Sequence, residues 1–177
     1  MRIVEDDLEF DFSDAISVKK FDDNKSHGLL NNGMSAVDFI VELNKAYLFI
    51  EVKDPSNPKG QGRNLEDDKL KLMSNSYNPK ENMKLCLQKK FRDTFLYRWA
   101  EEKLDKPVHF LSVITLEQPL LQPFEDNLKN VLPFDTAPCW KRQIVKTCAV
   151  LNIDSWNRNF PKWKLSRISE KTMSGVK

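Results

Sequence analysis

Asp38, Glu51 and Lys53 are the residues of this 177-residue chain whose types and spacing best suit chemistry. They lie on two apolar segments, 34–43 and 46–53, separated by Asn44-Lys45. A two-residue loop joins antiparallel strands in a fixed register, so Leu43 faces Ala46, Val41 faces Leu48 and Phe39 faces Ile50. One face of the hairpin is then Val37, Phe39, Val41, Leu43, Ala46, Leu48, Ile50 and Val52, wholly apolar and directed to the core. The other face carries Ile40, Tyr47 and Phe49 near the turn. At the open, solvent end it sets Asp38 across from Glu51, with Lys53 two residues further along.

Opposed like charges destabilise a sheet, because β-carbons about 4.5–5.5 Å apart hold the two carboxylates together. Three compensations are open. A hard divalent cation can take both carboxylates with a backbone carbonyl and water, the oxygen ligands that Mg²⁺ selects. Lys53 alone can act as a cross-strand salt-bridge partner, or one carboxylate can stay protonated. The first has the broadest chemical consequence. A cation that binds phosphate and acidifies water, beside an ammonium that orients the water or neutralises developing charge, forms a phosphodiester-hydrolysing set.

The hairpin requires elements around it. Residues 81–104 predict a long helix, with Met83, Leu87, Phe91, Phe95 or Leu96, and Trp99 recurring every three to four positions. Residues 108–116 form a nearly continuous apolar run of the kind that makes a strand covered on both faces. Strand, helix and strand make a crossover unit. Before the hairpin, Ser13 could cap a short helix over 13–23 carrying Ala15, Ile16, Val18 and Phe21. The polar stretch 54–82 is long for a loop and predicts a short helix near 65–73. Two more helices are expected over about 119–131 and 139–151. The fold class is α/β with a central mixed sheet flanked by helices. One domain over 1–177 is expected, with its core at about 13–116 and a helical, Trp- and base-rich extension at 117–177.

Asp38, twelve intervening residues and then Glu51-Val52-Lys53 on the second strand of a hairpin resembles the signature of the PD-(D/E)XK nuclease superfamily, the restriction-endonuclease-like fold. Helix, hairpin, crossover helix and buried strand match that family's αβββαβ order over about 13–116. The meander's remaining strand belongs either within 54–80 or before Met34. The resemblance implies that Asp38 and Glu51 bind Mg²⁺, or Mn²⁺ in its place, that the Val52 carbonyl adds a ligand, and that Lys53 positions the attacking water. The family's proline before the aspartate is replaced by Val37. Many members add an acid near the N-terminus, for which Glu5, Glu9 and Asp14 are candidates, or a Gln or Lys from the crossover helix, for which Gln88 is one. The implied activity is a deoxyribonuclease, cutting DNA in preference to RNA and internally rather than from ends. By analogy with members that cut both strands, a homodimer is implied as well. The alternative from another class is a nucleic-acid- or protein-binding module that keeps the fold without hydrolysis.

Charge is unevenly spread. Residues 1–58 hold 12 acids and 6 bases, whereas 59–177 hold 14 acids and 22 bases, so the basic character that a nucleic-acid partner requires lies in the second part. Lys59, Arg63, Lys69 and Lys71 follow directly after Lys53 and are the candidate nucleic-acid contacts. Trp140, Trp156, Phe160 and Trp163 alternate with Lys141, Arg142, Arg158, Lys162 and Lys164, and the expectation is that these aromatics close a core under a solvated basic rim. His109, inside the apolar run, reads as a hydrogen-bonded core imidazole, and neither it nor His27 is assigned to catalysis. Cys86, Cys139 and Cys148 have no CxxC pairing and read as reduced, buried thiols. No stretch nears the roughly 20 apolar residues of a spanning helix, and the acidic start is unlike a signal peptide. No membrane partner and a cytoplasmic location are therefore expected.

Overall fold

The computed structural model describes residues 1–23, 33–58, 65–78, 80–134 and 136–174. In chain order the strands are β1 (Arg2–Glu5), β2 (Leu8–Asp11), β3 (Ser17–Lys20), β4 (Phe39–Glu42), β5 (Tyr47–Lys53), β6 (Val108–Ile114), β7 (Thr147–Leu151) and β8 (Leu165–Arg167). The helices are α1 (Leu65–Met73), α2 (Met83–Ala100), α3 (Gln118–Lys129), α4 (Ile153–Asn159) and α5 (Ile168–Ser174). Strands β3-β4-β5-β6-β7 form a mixed sheet in that order. The first three make an antiparallel meander, while β5, β6 and β7 run parallel. Strands β1-β2-β8 form a second, antiparallel sheet.

The sheet separates two cores, and strand alternation decides which side chain enters which. Ile40, Tyr47, Phe49, Phe110 and Ile114 meet Leu72 of α1, Leu87 and Phe91 of α2, and Leu121, Phe124 and Leu128 of α3. Phe39, Val41, Leu48, Ile50, Val52 and Val113 meet Leu8 and Phe10 of β2, Leu165 of β8, and Trp156 of α4. Only one face of the central sheet is therefore covered chiefly by helices. The small sheet and α4 cover the other.

Helix α2 begins where Asn82 accepts a hydrogen bond from the Leu85 N–H at 3.4 Å, an N-cap. Its buried residues, Met83, Leu87, Phe91, Thr94 and Arg98, recur at helical spacing and turn one stripe to the sheet. Strand β6, central and parallel on both sides, is buried at every position except His109. The His109 Nδ1 lies 2.7 Å from Thr147 Oγ1, and burial holds this imidazole below its ordinary range.

Three expectations are corrected. Residues 13–23 hold a turn and β3, not a helix, because Val18 and its neighbours pair along β4 from Glu42 to Phe39. The missing strand of the meander is thus the segment before Met34. Residues 147–151 form β7 rather than part of a helix, since its β-branched and small residues complete the sheet beside β6. Of the three thiols only Cys148 is buried, while Cys86 is half-buried and Cys139 exposed. Trp156 and Trp163 are core residues, as expected of the C-terminal aromatics, whereas Trp140 is exposed. Among the described residues no helix is long and apolar enough to cross a membrane.

A buried ion pair ties the two sheets together just beyond Lys53. The Arg167 guanidinium of β8 donates to both oxygens of Asp54, at 3.0 and 2.8 Å, and to Ser56 Oγ at 2.7 Å, while Thr115 Oγ1 donates to Asp54 at 2.6 Å. Removing one member leaves a buried charge without its counterion. Arg167→Met is expected to cost about 3–5 kcal/mol in urea unfolding, with part recovered in the Asp54→Asn/Arg167→Met double variant. A single variant as stable as the parent would show that this link carries no load.

Candidate active site

The β4–β5 ladder pairs Phe39 with Ile50, Val41 with Leu48 and Glu42 with Tyr47, and the Leu43 N–H bonds the Ala46 carbonyl at 2.9 Å. This is the register that the two-residue turn implies, and one step further it sets Asp38 against Glu51. Regular pairing ends at Phe39 because the Val37 N–H turns away to Thr94 Oγ1 of α2, at 3.0 Å. Val37 accordingly packs in the helix-side core, not on the apolar face that strict alternation assigns it. The Val52 N–H then bonds Asp38 Oδ2 at 2.6 Å, while the Asp38 carbonyl accepts from the Phe21 N–H at 2.8 Å. Asp38 is thereby fixed between β3 and β5. An extended residue presents its N–H and C=O to the same neighbour, so the Val52 carbonyl lies on the Asp38 edge of β5.

Glu51 departs from the sequence expectation of a solvent-facing carboxylate, being 0% exposed, with Asp38 at 5%. Helix α2 covers this end of the ribbon. Two ammonium groups approach Glu51 Oε1, Lys53 Nζ and Lys90 Nζ, each at 2.6 Å, and Lys90 Nζ also lies 3.6 Å from Asp38 Oδ1. Both ammonium groups meet the same oxygen, Oε1, and the other, Oε2, is buried with no hydrogen-bond partner. Ser112 stands beside Glu51 on β6, and its fully buried Oγ is also without a hydrogen bond. Glu51 Oε2 and Ser112 Oγ are therefore two buried oxygens on one patch without a partner, which in a native interior calls for water or an ion.

A second group of oxygens adjoins this patch. Glu5 at the end of β1, Asp22 just after β3, and Asp38 bring carboxylate oxygens within 4.8 Å of one another. Lys20 Nζ lies 2.7 Å from Glu5 Oε2. Of the N-terminal acids that the sequence offers, Glu5 alone reaches this place. Glu9 pairs with Arg2 and Lys171, and Asp14 accepts from the Trp163 indole. Gln88 is also turned elsewhere, its Nε2 donating to the Val131 carbonyl at 2.6 Å. The crossover helix contributes Lys90 instead. Lys69 and Lys71 are engaged with Glu66 and Asp68 on their own helix, at 2.9 and 3.9 Å. Lys59, Arg63 and His27 lie outside the described residues.

Glu5, Asp22 and Asp38 offer carboxylate oxygens, the ligand type that a hard cation selects, within 4.8 Å of one another, and Glu51 adjoins them without belonging to that cluster. Asp22, Lys20, Lys90 and Ser112 were not singled out from sequence. Lys90 had a readable signal, since it falls three residues after Leu87 and four before Thr94, a lysine on the stripe that α2 buries. Ser112 was hidden as one polar residue in an apolar run. Asp22 and Lys20 had no signal, because their positions depend on the pairing of β3. No known protein family, curated protein or solved structure matches the chain.

Burial dominates the electrostatics. It pushes the Glu51 carboxyl up to about 7, with Asp38 adding to the rise and Lys53 and Lys90 opposing it. Glu5 and Asp22 rise for the same first reason. At Lys53 burial acts against the ammonium, but the adjoining Glu51 charge outweighs it and the group is raised. Between the ordinary carboxylate value of 4.5 and about 7 the folded protein holds a proton on Glu51 that the unfolded chain has released. Stability of the metal-free protein therefore falls as pH rises through that window and levels off above it. In EDTA, the melting temperature is expected to drop between about pH 5 and about pH 7.5, and Glu51→Gln should flatten part of that drop and raise the melting temperature at the upper end. An unchanged slope in Glu51→Gln would show that this carboxyl is not the group responsible.

Proposed function

We propose that this chain is a divalent-metal-dependent nuclease of the PD-(D/E)XK type with a restriction-endonuclease-like core, hydrolysing phosphodiester bonds in DNA by internal cleavage. The observation that carries the reading is the fully buried Glu51 carboxylate, met by ammonium groups at one oxygen and unpartnered at the other, beside Asp38 and Lys53 on one hairpin. A buried charge held that way costs stability, and ligand binding is the function that justifies it. Supporting it is the order of elements, a three-stranded meander, a crossover helix and a parallel strand, which agrees with the family's βββαβ sequence. The family's leading helix is replaced here by the β1–β2 hairpin, which delivers Glu5 as the additional acid.

Asp38, Glu51 and the Val52 carbonyl, with Glu5 and Asp22 adjoining, are the groups that would hold Mg²⁺ or Mn²⁺. When bound, such a cation supplies positive charge to the scissile phosphate and lowers the pKa of water. Lys53 serves in orienting the attacking water and compensating charge as it develops on the phosphate, because its ammonium is held at Glu51 and stays protonated across the physiological range. Asp38, pinned by the Val52 N–H and the Phe21 N–H, keeps the oxygens pre-arranged so that little reorganisation accompanies the reaction. The preference for DNA, internal cleavage and a homodimer rest on the family resemblance alone.

A binding module without hydrolysis is the second reading, and one observation favours it: Lys20, Lys53 and Lys90 already set three ammonium groups against the four carboxylates. Incubation with supercoiled plasmid, linear duplex, single-stranded DNA and RNA, in Mg²⁺, Mn²⁺ or EDTA, separates the two. Metal-dependent cleavage is expected, with nicking of the plasmid and a loss of about 100-fold or more in Lys53→Ala and Asp38→Asn. No cleavage of any substrate, together with no calorimetric Mn²⁺ binding, would leave the binding module.

A further inference from the structure

Lys90, like Lys20, is a charged group of the site to which the proposed hydrolysis assigns no role. Lys53 contacts Glu51 from the neighbouring position on the same strand. Lys90 arrives from α2, and its ammonium touches both principal carboxylates, at 2.6 Å from Glu51 and 3.6 Å from Asp38. A positive charge between those two groups occupies the electrostatic seat that a divalent ion needs. Two cations cannot share it at contact distance, since their repulsion in a partly desolvated site is large.

The surroundings allow the side chain to move while its helix stays. Neighbouring α2 residues are anchored to the segment leading into Asp38: Lys89 Nζ donates to the Gly33 carbonyl and Ser35 Oγ at 2.8 Å each, the Ser35 N–H donates to Asp93 at 2.8 Å, and Thr94 receives the Val37 N–H. The Lys90 side chain keeps 19% of its surface exposed, a way out to water along a flexible four-carbon stem.

We propose that Lys90 is a tethered stand-in cation: in the metal-free protein it neutralises the Asp38–Glu51 pair, it competes with the divalent ion for that place, and on displacement it turns outward, where its charge is available to a substrate phosphate. This rests on the reading of the site as a metal centre. Metal binding and phosphate capture are thereby coupled through one side chain.

The test is calorimetric titration of Mn²⁺ into the full chain and into Lys90→Met, Lys90→Gln and Arg92→Met, with melting in EDTA. Arg92 is an exposed base on the same helix. Both Lys90 variants should bind Mn²⁺ about tenfold or more tightly than the parent and melt lower in EDTA, while Arg92→Met binds as the parent does. In the unaltered protein, reductive methylation of Lys90, read by mass spectrometry, should rise several-fold on addition of Mg²⁺. Mn²⁺ binding by the parent that is no tighter in the Lys90 variants, or methylation that Mg²⁺ does not change, overturns the proposal and leaves the metal centre standing. Absence of Mn²⁺ binding from every protein overturns both together. Should the Lys90 variants fail to fold, methylation of the unaltered protein decides.

Discussion

A carboxylate taken out of water beside a second carboxylate is the constraint around which this molecule is arranged. Glu51 has no exposed surface and lies just beyond the paired β4–β5 ladder, near Asp38, and neither burial nor repulsion is favourable to an anion. Much of the neighbourhood can be understood as compensation. The Asp38 side chain takes a backbone N–H that regular pairing would have left to Val37, and Thr94 takes the Val37 N–H in exchange. Helix α2 accepts Lys90 on the stripe it buries, and β5 places Lys53 beside the same oxygen. Each adjustment sacrifices a little regularity or apolar area so that one charge can be kept in place.

The same constraint explains why the two cores are unlike each other. The side shared with β2, β8 and α4 is closed by aromatic contacts, with Phe10 and Trp156 edge-on at 5.4 Å and the Trp156 indole donating to the Trp163 carbonyl at 2.7 Å. Nothing titratable enters it from β5. All the charge of that strand faces the helix side, where α2 supplies polar partners.

How much of this was legible depended on how local its causes are. The hairpin register, and with it the opposition of Asp38 and Glu51, follows from a two-residue turn and strict alternation, both readable in ten residues on either side. Helix α2 and strand β6 were readable because each is long and its pattern repeats. Strand β3 was not, since a four-residue exposed strand with Val18 as its one apolar residue carries less signal than the helix-like spacing around it. Strand β7 is a short apolar run of the kind that periodicity cannot assign between helix and strand. The burial of Glu51 was missed for a related reason. The hairpin taken alone ends in solvent, and only the packing of α2 across that end removes it. Asp22 and Glu5 could not be chosen from sequence, because their meeting with Asp38 is set by strand pairings far apart in the chain.

The pairing of β2 with β8 has a consequence in time. Leu8, Glu9 and Phe10 align with Arg167, Ser166 and Leu165, so the hairpin that carries Glu5 is held by residues made more than 150 positions later. On a growing chain, Asp38, Glu51, Lys53 and Lys90 can assemble once β6 has emerged. The hairpin carrying Glu5 gains its remaining strand partner when β8 exists to receive β2. During synthesis the pairing that steadies this hairpin therefore waits on residues near the C-terminal end of the fold, and a chain interrupted before Leu165 lacks the strand that β2 pairs with.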